Sequence, residues 1–239
     1  MFGRGELYKT LIAPNFLASL AMIDYAAARL NMVESQLRTN KVTDEAVLDA
    51  FLAIPRERFV PAPLRGNAYI DDDIPLGGER WLMEPMVLAR LLQLAAVERD
   101  DTVLDIGGAT GYGGAVLARL ARSVVAVEAD AELVRQAGAR LRELGFANAA
   151  VIEGPLTEGY AGRAPYDAIV IEGAVAQIPE AVTRQLAEGG RLAAVVKKPG
   201  GIGRAVLMTR SGGVLSQRPA FDAAVRPLPG FQPTPSFVF

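Results

Sequence analysis

Five glycines lie within the ten residues from Asp105 to Gly114, in the segment DIGGATGYGG. The apolar run TVL precedes this segment, and the helix-like run AVLARL follows it. A strand that ends in glycines and continues as a helix lets a ligand approach the backbone closely. The segment therefore predicts a ligand-binding loop at the carboxyl edge of a parallel sheet.

Short apolar runs alternate with helical segments from Thr102 onward. Strands are predicted at 102 to 106, 123 to 128, 149 to 153, 166 to 172, 191 to 196 and 205 to 210. Helices are predicted between them at 112 to 121, 131 to 144 and 179 to 187. Because continuous apolar strands separated by helices indicate a parallel sheet covered on both faces, we expect an α/β fold with a doubly wound, mostly parallel sheet.

The first hundred residues have a different pattern. A helix is predicted from Thr43 to residue 54 and another after Pro85, with a segment rich in proline and glycine between them. That segment is a candidate lid or substrate loop. The proline-rich C-terminal tail is expected to lie on the surface, and its anchors are predicted to be Phe231, Phe237 and Phe239.

Three regions are therefore expected, together forming one compact domain. They are an N-terminal extension (1 to 26), a helical portion with the substrate loop (27 to 100), and an α/β core with the C-terminal strands and tail (101 to 239). The length of 239 residues suffices for one well-filled core.

Composition excludes several classes of function. The chain has no cysteine and no histidine, which removes the usual zinc ligands, a cysteine nucleophile and a histidine base, so no metal is expected. The net charge is −2 without a basic block, so nucleic acid is not an expected partner. No apolar run is long enough to span a membrane, and the N-terminus carries Glu6 and Pro14 where a signal peptide needs an apolar core. We therefore expect a cytoplasmic protein without a membrane partner.

The glycine loop departs from two common nucleotide-binding motifs. The dinucleotide motif G-x-G-x-x-G would require glycine at positions that hold Ala109 and Tyr112. A phosphate loop would require a lysine followed by serine or threonine, and none follows here. What remains is the pattern D-x-G-x-A-x-G, in which Asp105 lies two residues before Gly107.

A second acid, Glu128, ends the next predicted strand, 21 residues after Gly107. From that place a carboxylate can accept both hydrogen bonds of a ribose diol. Asp105 and Glu128 thus predict a negatively lined pocket without a phosphate cradle, which suits a cationic nucleoside. S-adenosylmethionine, with an ammonium, a sulfonium and a ribose, is the candidate ligand. An alternative stays open, in which the acids and glycines merely end two strands.

An ordered series of segments resembles the protein-L-isoaspartate O-methyltransferase family. The segments are MVESQLRTN (32 to 40), IPRERFVP (54 to 61), AYIDDDIPLG (68 to 77), VLDIGGATGYGGAVLARL (103 to 120), VVAVEAD (124 to 130), APYDAIVIEGA (164 to 174) and LAEGGRLAAVV (186 to 196). The resemblance runs from about Ala27 to Gly230. It implies a Rossmann-like class I methyltransferase fold and methyl esterification of the isoaspartyl α-carboxyl in damaged proteins. S-adenosylmethionine would be the donor and S-adenosylhomocysteine the product.

The resemblance also implies a donor-binding site. Its predicted residues are Asp105, Gly107, Gly108, Ala109, Thr110, Gly111, Tyr112, Glu128, Ala129, Glu153, Gly154 and Pro155. Pro155 stands where the family has an aspartate that contacts the adenine amino group. One adenine contact is therefore expected to be lost.

The predicted substrate loop also departs from the family. After IPLG the family has roughly His-Gly-Gln-Thr-Ile-Ser-Gln-Pro, whereas this chain has GERWLMEP, so Trp81 and Met83 replace two hydroxyl side chains. Both are predicted to face the methyl acceptor, as is Glu172 at the end of the fourth strand. Alternatively, Trp81 and Met83 pack in the core, and Glu172 is a solvated strand end or a partner of Arg80 or Lys197. The acidic run from Asp71 to Asp73 is either a solvated loop or a substrate contact.

Three functions stay open at this point. The chain is an isoaspartyl methyltransferase, a methyltransferase for a small molecule or another protein group, or a noncatalytic protein that binds S-adenosylmethionine or S-adenosylhomocysteine. Methyl transfer from a sulfonium to a carboxylate needs no general base, because the nucleophile is already ionised and the leaving thioether is neutral. The absence of histidine is compatible with this chemistry, which depends on alignment and desolvation.

Overall fold

The computed structural model describes residues 23–231, and two sheets with helices around them make up this part of the chain. The large sheet contains β3 (Thr102–Ile106), β4 (Ser123–Glu128), β5 (Ala149–Glu153), β6 (Tyr166–Val175), β7 (Leu186–Val196), β8 (Arg204–Ser211) and β9 (Val214–Asp222). A hairpin is formed by β1 (Ile74–Gly77) and β2 (Arg80–Leu82). The α-helices are α1 (Tyr25–Met32), α2 (Glu45–Ala53), α3 (Pro85–Ala95), α4 (Tyr112–Leu120), α5 (Ala131–Glu143) and α6 (Glu180–Thr183).

The strand order of the large sheet is β5-β4-β3-β6-β7-β8-β9. The first five strands are parallel, and β8 and β9 continue the sheet in antiparallel orientation. The chain moves from β3 to β4 on one side and later from β5 back to β6 on the other. The carboxyl ends of β3, β4 and β6 therefore flank the point where the winding direction reverses, and this is where ligands bind in open α/β sheets.

Side chains of the crossover segments explain where the helices begin and end. Asp130 caps α5 by accepting hydrogen bonds from the N–H groups of Glu132 (2.9 Å) and Leu133 (3.0 Å). At the other end of α5, Gly145 has a φ of +79°, a conformation that closes a helix at low cost for glycine. The predicted helix over 131 to 144 is confirmed to within one residue.

The N-terminal helices share a hydrophobic core with the large sheet. Phe51 of α2 and Leu88 of α3 are fully buried in one cluster with Val103 of β3 and Val170 of β6. Helix α3 presents most of its length to the sheet, and its apolar residues recur at helical spacing. The N-terminal helices and the sheet therefore pack around one shared core.

Four details differ from the sequence predictions. Helix α2 is capped by Asp44, whose carboxylate accepts from two backbone N–H groups, and not by Thr43. The helix predicted at 179 to 187 is limited to α6, because the backbone carbonyl of Gln185 accepts from the N–H of Tyr166 (2.8 Å) and joins the sheet. The hairpin β1-β2 and strand β9 were not predicted.

The C-terminal tail lies partly within the described residues. Phe231 is buried, as expected for an anchor. The predicted anchors Phe237 and Phe239, and almost all of the predicted N-terminal extension, lie outside the described residues.

Replacement of Leu88 by alanine should lower the free energy of unfolding by about 2–5 kcal/mol, because it leaves a cavity in the shared core. The exposed Leu30 of α1 provides a control, and Leu30→Ala should change stability by less than about 0.5 kcal/mol. Urea unfolding followed by both Trp81 fluorescence and helical circular dichroism measures this change. Two separate transitions, with Leu88→Ala shifting just one of them, would contradict a single shared core.

Candidate functional site

Three buried acids meet at the carboxyl edge of the parallel strands. Asp105 of β3, Glu128 of β4 and Glu172 of β6 are 0%, 1% and 5% exposed. Burial of three carboxyl groups is costly unless hydrogen bonds, opposite charges or shared protons offset it. The partners of each acid therefore indicate what the site can do.

The glycine loop after β3 packs tightly against its surroundings. A Cβ atom on Gly113 would lie 1.6 Å from Oε1 of Glu172, so glycine is required for this carboxyl to fit over the start of α4. Gly107 has a φ of +80°, and the side chain of Leu228 packs against it from the C-terminal segment. Gly108 lies against the carboxyl of Asp105, and Gly111 against Ala137 of α5. The predicted loop glycines are thus brought together around the acids.

Glu128 is the centre of a dense hydrogen-bond network. Its Oε2 accepts from the N–H of Ala109 (3.0 Å), and its Oε1 accepts from the N–H groups of Ala129 (2.8 Å) and Asp130 (3.2 Å). Arg80 of β2 adds a buried salt bridge to Oε2 and also donates to the carbonyl oxygen of Gly107 (2.8 Å). These four donors fill the four lone-pair positions of the carboxylate.

The position of Arg80 corrects one sequence interpretation. Arg80 was considered as a partner for Glu172, but its guanidinium pairs with Glu128. Within residues 23–231 Glu172 forms no salt bridge with Arg80 or Lys197, and at 5% exposure it is not a solvated strand end. The contact of Arg80 with the loop was not predicted from the sequence.

Glu172 instead lies against Asp105. Among the described residues, no N–H or O–H group donates to either oxygen of Asp105 or to Oε1 of Glu172, so the bond open to them is one to each other through a shared proton. Burial raises the pKa of Asp105 well above its usual range, and the charge of Glu172 adds to this rise. Burial likewise raises the pKa of Glu172 to about 7. Both shifts favour protonation of the pair.

A buried arginine and a tyrosine lie beneath this acidic pair. The Arg56 guanidinium donates to the carbonyl oxygens of Ala68 (2.8 Å) and Met83 (2.7 Å) and lies 4.7 Å from the ring centre of Tyr112. Tyr112 is fully buried and packs edge-on against Phe51 of α2. Tyr112 thus packs at the start of α4 as expected, while its predicted contact with a ligand stays a prediction.

The remaining residues predicted to bind the donor occupy different environments. The hydroxyl of Thr110 donates to the carbonyl oxygen of Phe59 (2.7 Å) inside the protein. Gly154 donates its N–H to the carbonyl oxygen of Glu128 (3.1 Å), which holds the end of β5 beside the network. Glu153 and Pro155 are exposed beside Gly154, at the outer side of the same edge.

A small cavity of about 10 Å³ separates the hairpin from β6, and we call it the hairpin cavity. It is lined by Trp81, Met83, Glu172 and Gly173, together with Val225 and Arg226 of the C-terminal segment and Asp73. The structure therefore brings together the three residues predicted to face the acceptor. Met83 is 3% exposed and belongs to the core, as one of the two interpretations expected, while its contact with an acceptor stays a prediction. Trp81 is half-buried.

The acidic run before the hairpin is divided between two environments. Asp71 and Asp72 are exposed, whereas Asp73 is buried and accepts from the N–H groups of Glu84 (2.8 Å) and Arg226 (2.9 Å). Asp73 therefore fixes the hairpin to the C-terminal segment.

Two structural features were not found in the part of the chain that the structure describes. Within residues 23–231, no group of three or more acidic, histidine or cysteine side chains is arranged to hold a metal ion. None of the helices in that range has the length and apolar character needed to cross a membrane.

Comparison with known proteins adds a family to this geometry. The model of the protein-L-isoaspartate(D-aspartate) O-methyltransferase family matches residues 28–227. A protein-L-isoaspartate O-methyltransferase of Koribacter versatilis is 40% identical over 182 residues, which cover 76% of this chain and 82% of that protein. One from Methylorubrum extorquens is 43% identical over 181 residues, which cover 74% of this chain and 78% of that protein.

Solved structures agree with the fold. A protein-L-isoaspartate O-methyltransferase superposes with a TM-score of 0.74 at 27% identity, covering 84% of this chain and 66% of that chain. A Plasmodium falciparum protein of the same name, in complex with S-adenosyl-L-homocysteine, gives a TM-score of 0.72 over 84% of this chain and 97% of that chain, and at 18% identity it shows the fold alone. The expected Rossmann-like α/β architecture is confirmed. On the family match and these identities, the chain belongs to the protein-L-isoaspartate(D-aspartate) O-methyltransferase family.

Proposed function

We propose that this chain is an S-adenosylmethionine-dependent O-methyltransferase that esterifies the carboxyl of isoaspartyl residues in damaged proteins. The observation that carries the proposal is the arrangement of Asp105, Glu128 and the glycine loop at the switch point of the sheet, in a chain of this family. S-adenosylmethionine would supply a methyl group activated by a positively charged sulfur. The chain itself would bind the donor and the acceptor, align them with each other and exclude water from the space between them.

The acidic pair fits the ammonium group of such a donor. Asp105 and Glu172 present three buried oxygens to which no other described residue donates a hydrogen bond. An ammonium has three donors and a positive charge, so it offsets the cost of burying these carboxyls. Glu172 would then bind the ammonium of the donor in addition to lining the hairpin cavity, where the acceptor is expected.

Glu128 is suited to bind the ribose of the donor, provided that Arg80 leaves this carboxylate. Three of its four hydrogen bonds come from backbone N–H groups and hold the carboxylate in place, while the fourth comes from Arg80. A ribose hydroxyl can take the place of the guanidinium, so donor binding at this carboxylate requires Arg80 to leave Glu128. The side chain of Leu228, which packs against Gly107, must also yield where the ligand approaches the loop. The described conformation is therefore a closed form of the site.

The acceptor side of the site combines apolar and charged side chains. Its apolar part is formed by Trp81 and Met83, which offer one indole N–H between them. Apolar side chains exclude water from the attacking carboxylate, and this loss of hydration favours methyl transfer to it. No side chain has to take up a proton in this step, because the acceptor carboxylate is already ionised.

Two features stay predictions. No observation tests the placement of the adenine beside Glu153 and Pro155 or the location of the protein in the cytoplasm. We propose both as parts of the same account, in which the acceptors are cytoplasmic proteins that contain isoaspartyl residues.

Transfer of labelled methyl from S-adenosylmethionine to an isoaspartyl peptide tests the proposed function. We expect base-labile label on the isoaspartyl peptide and none on the same peptide with ordinary aspartate, because the two differ in which carboxyl is presented. Glu128→Gln should weaken donor binding, measured by calorimetry, by at least roughly tenfold. Donor binding without transfer to the peptide would contradict the acceptor assignment, and absence of donor binding would contradict the proposal as a whole.

Replacement of Arg80 by glutamine should strengthen donor binding. The variant removes the internal competitor of the ribose, while the backbone N–H groups still satisfy Glu128, so the fraction of molecules with an open site rises. We expect the calorimetric Kd for S-adenosylhomocysteine to fall roughly tenfold. The half-buried pair of Arg191 and Asp101 is a matched control, and Arg191→Gln should leave this Kd unchanged. An unchanged or weaker affinity in Arg80→Gln would show that Arg80 does not compete with the donor.

The acidic pair also predicts how stability depends on pH without a ligand. A carboxyl whose pKa is raised by folding contributes stability that is fully present below its unfolded pKa and is lost as the pH rises through its folded pKa. For Glu172, with an ordinary value of 4.5 and a folded value of about 7, the loss falls between about pH 4.5 and 7.

Glu172→Gln should therefore gain stability relative to the unsubstituted chain as the pH rises from about 5 to 8, because glutamine cannot ionise beside Asp105. Urea midpoints at a series of pH values measure this difference. Glu153→Gln, at the exposed end of β5, controls for the removal of a charge. Parallel pH profiles for Glu172→Gln and the unsubstituted chain would contradict the shared proton.

A further inference from the structure

The C-terminal segment from Val225 to Leu228, here called the strap, is fixed against the carboxyl end of β6. The N–H of Ala174 donates to the carbonyl oxygen of Arg226 (2.9 Å), and the N–H of Leu228 donates to the carbonyl oxygen of Ala174 (2.8 Å). Asp73 accepts the backbone N–H of Arg226 (2.9 Å) from the other side. The backbone of Arg226 is thus held at the wall of the hairpin cavity from two sides, by β6 and by Asp73.

The side chain of Arg226 lies on the ring of Trp81. Its guanidinium carbon is 4.4 Å from the ring centre, which is the geometry of a cation–π contact. Arg226 is exposed, and among residues 23–231 no carboxylate forms a salt bridge with it. Stacking holds the guanidinium near the ring and leaves its N–H edge open to a ligand.

The other charged groups of the hairpin cavity are already engaged. Both oxygens of Asp73 accept backbone N–H groups, and Glu172 shares a proton with Asp105. Arg56 lies deeper and donates to two carbonyl oxygens. Arg226 is therefore the cation of this cavity that an anion arriving from solvent meets first.

We propose that Arg226, stacked on Trp81, binds the carboxylate of the methyl acceptor at the mouth of the hairpin cavity. The inference rests on the proposed function and deepens it, because it names the group that recognises the acceptor. A guanidinium can hold a carboxylate through two parallel N–H···O bonds and so fixes its orientation as well as its position. Trp81 then serves as a platform for Arg226, and the apolar side chain of Met83 lines the space behind it.

Trp81 permits a direct binding test, since it is the single tryptophan of the chain. The full chain, saturated with S-adenosylhomocysteine, is titrated with an isoaspartyl peptide and with the same peptide in which the isoaspartyl α-carboxyl is a carboxamide. The Kd from Trp81 fluorescence should be at least roughly tenfold lower for the carboxylate peptide, as expected for a charge-assisted bidentate contact.

Substitution of Arg226 tests its role without relying on turnover. Arg226→Gln should bind the two peptides equally well, and Arg226→Lys should retain part of the preference because it keeps the charge but not the planar fork. Arg204→Gln, which removes an exposed arginine of β8, is the matched control and should behave like the unsubstituted chain. Calorimetry should give the same Kd for S-adenosylhomocysteine in all four proteins.

The outcomes separate this inference from the proposed function. A carboxylate preference that survives in Arg226→Gln would overturn the inference, and so would its absence in the unsubstituted chain. A preference that depends on Arg226, in a chain that binds the donor but transfers no methyl group, would support the binding site and contradict the proposed reaction. If Arg226→Gln fails to fold, the lysine variant and the two peptides on the unsubstituted chain still decide the question.

Discussion

The carboxylate of Glu128 is the interaction on which the rest of the site depends. It joins the end of β4 to the glycine loop through Ala109, to the start of the next helix through Ala129, and to the hairpin through Arg80. A buried carboxylate needs hydrogen-bond donors around it, since an unpaired buried charge is among the most destabilising features a fold can contain. Three donors are backbone groups that cannot leave, whereas Arg80 is a side chain that can. The same network therefore shapes the loop and leaves one position that a ligand can take.

Strand β2 links the two halves of the site because neighbouring residues of a strand face opposite sides. Arg80 is directed to Glu128 and the glycine loop, and Trp81 to the hairpin cavity and Arg226. Movement of the hairpin to release Arg80 would also move the platform under Arg226. Binding on the donor side and binding on the acceptor side are thus physically connected through one short strand.

Sequence patterns predicted the parallel strands well, because their apolar runs are continuous and their helices carry clear caps such as Asp130. The hairpin was missed since β1 and β2 are only four and three residues long, too short to show an alternating pattern, and β1 contains a proline. The sequence correctly predicted that Asp105, Glu128 and Glu172 lie at one edge of the sheet. It did not predict which residues form hydrogen bonds or salt bridges with them. The alternation of side chains along a strand would have placed Arg80 and Trp81 on opposite faces. It could not have shown which acid Arg80 contacts. The contact of the strap with β6 joins residues more than fifty positions apart, as in Ala174 and Leu228, and no local pattern encodes such a contact.

A crystal structure of the chain with S-adenosylhomocysteine tests the central claim most directly. The account predicts that a ribose hydroxyl donates to Glu128 at the position that Arg80 has left, and that the ligand ammonium contacts Asp105 or Glu172. A structure in which Arg80 still holds Glu128 while the ligand is bound elsewhere would contradict the account.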